Sequence, residues 1–231
     1  MRFTVQPASH ETSVPGRPYP PRARADTAWP AQATVLVAIG LQLLLPKRLT
    51  AGPTWLLPAL EAVLLAGVTF ASPSRIECEH AWRRRLALAM TGLVSVANIV
   101  SLVLLSRQLY HHSSPDGRQL IVSGTLIWLT NILIFGLWYW ETDRGGPGQR
   151  AAGRDGPPDF LFPQMNDDNI GPAHWRPQFI DYLYVSLTNA TAFSPTDTMP
   201  LTPTAKSIMG LQSIVSLVTI SLVVSRSINI L

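Results

Sequence analysis

The stretch that decides the fold lies near the C-terminus, where SLTNATAFSPTD (186–197) leads into a long apolar segment. Before it, Pro177 suits the first turn of a helix, and apolar residues recur on one face at three- to four-residue spacing: Phe179, Ile180, Leu183, Tyr184 and Leu187. This pattern predicts a helix over 177–193, about 24 Å long at 1.5 Å per residue. Pro195 and Pro200 end it, so we expect a short helix, a polar extended strip and then a spanning helix.

The polar strip limits where this segment can lie. In a membrane, irregular backbone is tolerated only where it is buried in protein or lines a water-filled cavity. The helix over 177–193 also carries Asp181 and Asn189 and has only about the minimum length for a span. We therefore predict that it enters the membrane and returns, as a re-entrant helix.

The composition of the whole chain is typical of a membrane protein. Charged residues make up 14% of it, against about 25% in an ordinary soluble domain. Apolar residues fall in five blocks that approach the length of a spanning helix: 31–46, 55–72, 86–106, 120–140 and 205–230. The expected fold is an all-α membrane protein with five transmembrane helices and a re-entrant, pore-loop-like helix, located as a multipass protein in the cell membrane.

The chain divides into four regions. Residues 1–30 are rich in proline and arginine and predict a disordered basic arm. Residues 31–140 form a four-helix transmembrane region, 141–176 a Gly/Pro-rich linker, and 177–231 the re-entrant helix, polar strip and final transmembrane helix. Within the linker, DFLFP (159–163) is apolar enough to dock against the membrane face or the protein. The WYW triplet (138–140) fits aromatic rings anchored at the lipid head groups.

The distribution of basic residues predicts the orientation. With the N-terminus in the cytoplasm and five spans, thirteen of the 18 Lys and Arg residues lie on the inner side. The positive-inside rule favours this arrangement. It places the 177–203 loop on the cytoplasmic side. If the 177–193 helix instead crossed the membrane, the chain would have six spans and the strip would lie outside.

The strip offers oxygen atoms that suit a cation pathway. Thr191, Ser194 and Thr196 have hydroxyl groups, and Asp197 has a carboxylate. These are hard ligands for alkali and alkaline-earth cations. We expect these four residues to line the narrowest polar passage and to admit monovalent cations.

The strip also resembles the pore region of potassium channels. TAFSPTD (191–197) falls where those channels have the filter sequence Thr-Thr-Val-Gly-Tyr-Gly-Asp, and Pro200 and Thr202 also match. Both filter glycines are replaced, by Ser194 and Thr196, and the tyrosine by Pro195. The resemblance therefore implies a degenerate selectivity filter that discriminates weakly between potassium and sodium. It also implies a symmetric ring of subunits, four in number.

A second resemblance covers the C-terminal third of the chain and, in span count, all of it. DFLFP (159–163), DYLYVS (181–186), the strip ending at Asp197 and Thr198, and a last span ending near Asn229 are similar to a family of uncharacterised bacterial multipass membrane proteins. This likeness implies a fold and no activity.

Four polar residues lie within apolar blocks: Glu61, Asn98, Asn131 and Gln212. They would either line a pathway or form hydrogen bonds between helices, worth about 0.6 kcal/mol each. Glu61 follows Pro58 near the end of a short block, so head-group depth is an equal alternative for its carboxylate.

No pattern in the sequence indicates catalysis. The chain has no glycine-rich phosphate loop and no paired histidines at metal-binding spacing, and its single cysteine excludes an intrachain disulfide. We expect no enzyme activity, no cofactor, no metal and no nucleic-acid partner. Two hypotheses stand: an oligomeric cation channel in the lipid bilayer, or a non-conducting membrane protein, either a small-solute carrier or an assembly partner, whose re-entrant hairpin is structural.

Overall fold

The structure is a computed structural model that describes residues 29–50, 56–70, 81–111, 117–152, 156–165, 175–192 and 197–228. The described part contains these α-helices: α1 Trp29–Leu43, α2 Leu56–Phe70, α3 Ala81–His111, α4 Gly117–Thr142, α5 Pro147–Ala151, α6 Phe179–Ala192 and α7 Pro203–Ile228. Short 3-10 turns lie at Lys47–Leu49, Asp143–Gly145 and Pro163–Met165. The two-residue strands β1 (Phe160–Leu161) and β2 (Met199–Pro200) pair antiparallel. Most of the predicted N-terminal arm, residues 1–28, lies outside the described residues.

Among the described residues, three helical segments are long and apolar enough to cross a membrane: Trp82–Leu109, Gly117–Gly145 and Pro203–Ser225. They coincide with the third, fourth and fifth predicted blocks. The chain is therefore mostly helical and compatible with an integral membrane protein. α1 is apolar but only 15 residues long, so the count of five spans and a re-entrant helix stays a prediction.

The centre of the bundle is α4, which packs against α1, α3, α6 and α7, while α2 packs against α1 and α3. Small residues allow close approach at two of these interfaces. A Cβ atom on Gly136 would lie 3.1 Å from Leu183 Cδ1 and 3.2 Å from Leu183 Cα, and one on Gly124 would overlap Val223 Cγ2. Such glycines let the backbones of neighbouring membrane helices come together.

Basic side chains mark one end of the bundle. Arg83 and Arg84, at the start of α3, line a crevice together with Glu141 and Pro147, which lie where α4 ends and α5 begins. Arg144 and Arg150 follow α4 directly, so we call this region the basic end. Leucines at the opposite end come from the connection after α1, the end of α3 and the start of α4: Leu45, Leu49, Leu105 and Leu120.

The aromatic residues at the end of α4 face the protein interior rather than lipid. Tyr139 is 0% exposed and Trp140 is also buried. Tyr139 packs on Phe160, with ring centroids 5.1 Å apart, and Trp140 meets Phe179 edge-on at 5.8 Å. The expectation that these two rings anchor at the head groups is therefore wrong, because Phe160 packs on Tyr139, and Phe179 and Arg150 pack on Trp140.

Candidate functional site

The path of α6 is defined by its contacts with α4 and α7. Near its start, the Tyr182 hydroxyl donates to Asp143 Oδ2, just beyond the end of α4. One turn further, Ser186 Oγ donates to the carbonyl of Ile132, inside α4, at 2.7 Å. Asn189 Nδ2 then donates to the carbonyl of Met209, inside α7, at 3.0 Å. α6 therefore runs antiparallel to α4, from the basic end into the bundle.

After α6 the chain returns to the end from which it came. β2 pairs with β1, and the Leu201 amide donates to the carbonyl of Asp159 at 2.8 Å. The Thr202 hydroxyl donates to Asp159 Oδ1 at 2.5 Å, and the Arg144 amide donates to Asp159 Oδ2 at 3.2 Å. α7 begins here, so α6 and α7 run in the same direction. The 14 residues of α6 cover about 21 Å and the 26 residues of α7 about 39 Å.

α6 and the return of the chain to Asp159 form a hairpin. A buried carboxylate joins the two ends of this hairpin at the basic end. Asp143 is fully buried, and its Oδ1 accepts from the amides of Asp159 (2.8 Å) and Phe160 (3.4 Å). Its Oδ2 accepts from Tyr182 at 2.6 Å and lies 3.8 Å from Arg144 Nε. These bonds and the nearby guanidinium offset the cost of removing the charge from water.

Arg150, on α5, makes further contacts at the basic end. Its Nη1 donates to the carbonyls of Trp140 (2.9 Å) and Asp143 (2.7 Å). Its guanidinium lies over the rings of Trp140 and Tyr182, 5.8 and 5.5 Å from the centroids. The end of α4, α5 and the start of α6 are therefore held together by one cation.

A second polar network lies within the bundle, where α4, α6 and α7 meet. Gln212 is fully buried, and its Nε2 donates to the backbone carbonyl (2.9 Å) and the hydroxyl (2.7 Å) of Ser186. Its Oε1 accepts from Asn189 Nδ2 at 2.9 Å and from the Tyr139 hydroxyl. Every hydrogen-bonding group of this amide is used, which locks α6 against both neighbouring helices.

Further bonds extend the contact between these helices. Asn131 Nδ2, on α4, donates to Ser216 Oγ, on α7, at 2.9 Å. Ser213 Oγ lies 3.2 Å from Asn189 Oδ1. Asn131 and Gln212, which the sequence analysis singled out, therefore both bond between helices in this structure.

The other two intramembrane candidates lie outside this network. Asn98 is buried on α3, and Glu61 is buried on α2, which packs on α1 and α3. Neither carboxylate oxygen of Glu61, nor Nε2 of the buried Gln42 on α1, has a hydrogen-bond partner in the described part of the chain.

The four predicted pore-lining residues are only partly described. Thr191 is exposed, and its hydroxyl donates to the carbonyl of Leu187 at 2.9 Å, within its own helix. Asp197 is exposed where the described chain resumes. Ser194 and Thr196 lie outside the described residues. The two described members of the strip, Thr191 and Asp197, are therefore both exposed, and the role of the strip as a passage stays a prediction.

Sequence reasoning missed most of the residues that hold the hairpin: Tyr139, Asp143, Arg150, Tyr182 and Ser186. A signal existed for the bundle interior, because Ser186 and Asn189 share one face of α6, and Gln212, Ser213 and Ser216 share one face of α7. Asp143 gave no such signal, since a single acidic residue after an apolar block looks like the start of a solvated loop.

Within the described ranges, no three His, Cys, Asp or Glu side chains lie close enough together to hold a metal ion. The chain matches no protein-family model, no curated protein and no solved structure. The chemistry of this region is therefore argued from its geometry.

Proposed function

We propose that this chain is a multipass membrane protein in which α6 and the following strip form a re-entrant hairpin, and that several copies assemble around this hairpin into a cation-conducting pore. One observation carries the proposal. α6 begins beside Asp143, and the chain returns to Asp159 at the same end of α4, while α6 has about half the length of α7. The order of elements α4, α6, strip and α7 is that of a pore module.

The direction of α6 supports a cation rather than an anion. The C-terminus of α6 points away from the basic end, with Ala190 buried and Thr191 exposed. The carbonyl groups of the last turn of a helix lack intrahelical donors. The negative end of the helix dipole adds to their effect. Thr191 lies in this last turn, and Ser194, Thr196 and Asp197 follow it with further hydroxyl and carboxylate oxygens.

The inner face of α6 bonds to α4 and α7, and its outer face is exposed in one copy of the chain. Ser186 and Asn189 bond to α4 and α7, so the hairpin has a rigid support. The outer faces of α6 and α7 expose large apolar side chains: Ile180, Tyr184, Leu187, Leu211, Ile214, Leu217 and Val218. One hairpin cannot surround an ion, so the proposal uses part of this surface for contact between four copies.

The residues of the strip also set the expected selectivity. Serine and threonine stand where a potassium filter has glycine, at 194 and 196. Glycine allows filter backbone conformations that other residues resist. The proposed pore therefore discriminates weakly between potassium and sodium.

The alternative is a non-conducting membrane protein, a small-solute carrier or an assembly partner, in which the hairpin is structural. A specific observation favours it: Asn131, Asn189 and Gln212 are all used in bonds between helices. On this hypothesis the hairpin completes the packing of α4 against α7, and the strip carries no ion.

Flux measurements on protein reconstituted in liposomes test the proposal. We expect potassium and sodium flux that Asp197→Asn lowers several-fold while the mass of the assembly in mild detergent stays at four copies. Asp116→Asn, in the connection between α3 and α4, makes the same change of charge and should leave flux unchanged. Absence of conduction at every applied potential would contradict the pore role. So would an Asp197→Asn variant that conducts like wild type.

The structural alternative has its own expected result. Asp197 would then form local bonds, and its replacement by asparagine would lower the unfolding midpoint without any effect on transport. A monomeric mass in mild detergent would also count against the channel and in favour of this alternative.

A further inference from the structure

A crevice opens at the basic end between α1, α3 and α4, with one residue of α2 on its inner side. Its walls are mostly apolar, with Gln32 and Thr91 beside these residues: Ala31, Val35, Leu65, Ala87, Met90 and Leu137. Its mouth is polar and carries Arg83, Arg84 and Glu141 beside Trp140. The crevice thus changes from charged to apolar along its depth.

Arg84 has an unused hydrogen-bond donor in this mouth. Its Nε is buried and has no hydrogen-bond partner among the described residues. A Cβ on Gly146 would lie 3.5 Å from this nitrogen and 3.7 Å from Glu141 Oε2, so the three groups share one small space. Buried N–H groups of charged side chains are normally paired, because an unpaired one costs the full desolvation penalty. An added acceptor would pair this donor.

The charge around the mouth favours an anionic acceptor. Among the described residues that line the crevice, Arg83 and Arg84 outnumber the one carboxylate, that of Glu141. Arg144 and Arg150 lie at the same end of the bundle. Under the positive-inside rule this end faces the cytoplasmic leaflet, which holds the anionic lipids.

We infer that the crevice binds an anionic phospholipid, with a phosphate oxygen accepting from Arg84 Nε and an acyl chain against the apolar walls. A free phosphate would leave the apolar lining uncovered, and a neutral hydrocarbon would leave Arg84 Nε without an acceptor. Only an amphipathic anion satisfies both parts of the crevice. This inference goes beyond the proposed pore and does not depend on conduction.

Native mass spectrometry of the full chain, released from mild detergent, tests the inference. The probes are phosphatidylglycerol and phosphatidylcholine with the same acyl chains. We expect wild type to retain phosphatidylglycerol in preference, and Arg84→Gln to lower its affinity about tenfold, as for loss of one charge-assisted hydrogen bond. Arg107→Gln is the matched control, because it removes an exposed arginine from the other end of the same helix.

Equal retention of the two lipids by wild type, or equal effects of Arg84→Gln and Arg107→Gln, would overturn the inference. Ala87→Leu keeps the charges and narrows the apolar wall, so it should also reduce retention. Excess inorganic phosphate should leave the lipid bound, and displacement of the lipid by phosphate would show that the acyl chain is not held. If Arg84→Gln does not fold, Ala87→Leu carries the test, and wild-type retention by this variant would overturn the site.

Discussion

The Tyr182 hydroxyl donates a 2.6 Å hydrogen bond to Asp143 Oδ2 and so fastens the first turn of α6 to the end of α4. Both side chains are fully buried. The other carboxylate oxygen accepts from the backbone at Asp159, and Asp159 in turn accepts from Thr202, immediately before α7. One buried carboxylate therefore connects the start of the hairpin with the place to which the hairpin returns.

We predict that Tyr182→Phe lowers the free energy of unfolding by about 1–3 kcal/mol, because it leaves an acceptor of Asp143 without its donor. The measurement is denaturant unfolding in mixed micelles. Tyr184→Phe is the control, since the Tyr184 side chain, on the same helix, is 57% exposed. Equal losses for the two variants would mean that the bond to Asp143 contributes nothing.

The helices were largely predictable from the sequence. The expected helix over 177–193 appears as Phe179–Ala192, and the three clearest apolar blocks appear as candidate spans. Length and apolar periodicity determine these features locally. The first two blocks were harder to interpret because each forms a helix of only 15 residues. A helix that spans a bilayer needs about 20.

The contacts that hold the hairpin were not predictable, because they join positions far apart in the chain. Tyr139 contacts Gln212 across 73 positions, and Tyr182 contacts Asp143 across 39. No local pattern in an apolar block reveals which polar residue will meet which partner. The WYW triplet shows the same limit: its composition suggested lipid head groups, but Phe160 packs on Tyr139 and Phe179 packs on Trp140, and both contacts come from distant segments.

The interior network predicts a second loss of stability. Gln212→Leu keeps a similar volume but removes the bonds to Ser186, Asn189 and Tyr139. Each interhelical bond in a membrane is worth about 0.6 kcal/mol, so we expect a loss of about 1–2 kcal/mol in the free energy of unfolding. Ser207→Ala, at an exposed position of the same helix, should change it by less than about 0.5 kcal/mol. Equal losses of unfolding free energy for Gln212→Leu and Ser207→Ala would mean that the network contributes nothing to stability.

Glycine positions on α4 and α7 predict opposite effects of the same substitution. Gly136→Ala places a methyl group 3.2 Å from the Leu183 backbone, so α6 must move away from α4, at a cost of about 1–3 kcal/mol. Gly210→Ala meets nothing within 4 Å and should be neutral or stabilise α7 by up to about 1 kcal/mol. Thermal unfolding of both variants in one detergent makes the comparison. Destabilisation by Gly210→Ala as large as by Gly136→Ala would argue against close packing of α4 on α6.

The last prediction concerns the side of the membrane that the hairpin enters. Arg144 and Arg150 lie where α6 begins and where the strip returns, so the positive-inside rule places both ends of the hairpin in the cytoplasm. Reporter fusions at Gly52, Ser113 and Gly153 should read outside, outside and inside.

Single cysteines at 194–203, in a Cys78→Ser background, should then react with an impermeant thiol reagent from the same side as a cysteine at 153. They should not react from the side of a cysteine at 113, which serves as the control. An outside reading at Gly153 would overturn the charge argument. It would also mean that the hairpin enters from the outer face, as the pore loop of a potassium channel does.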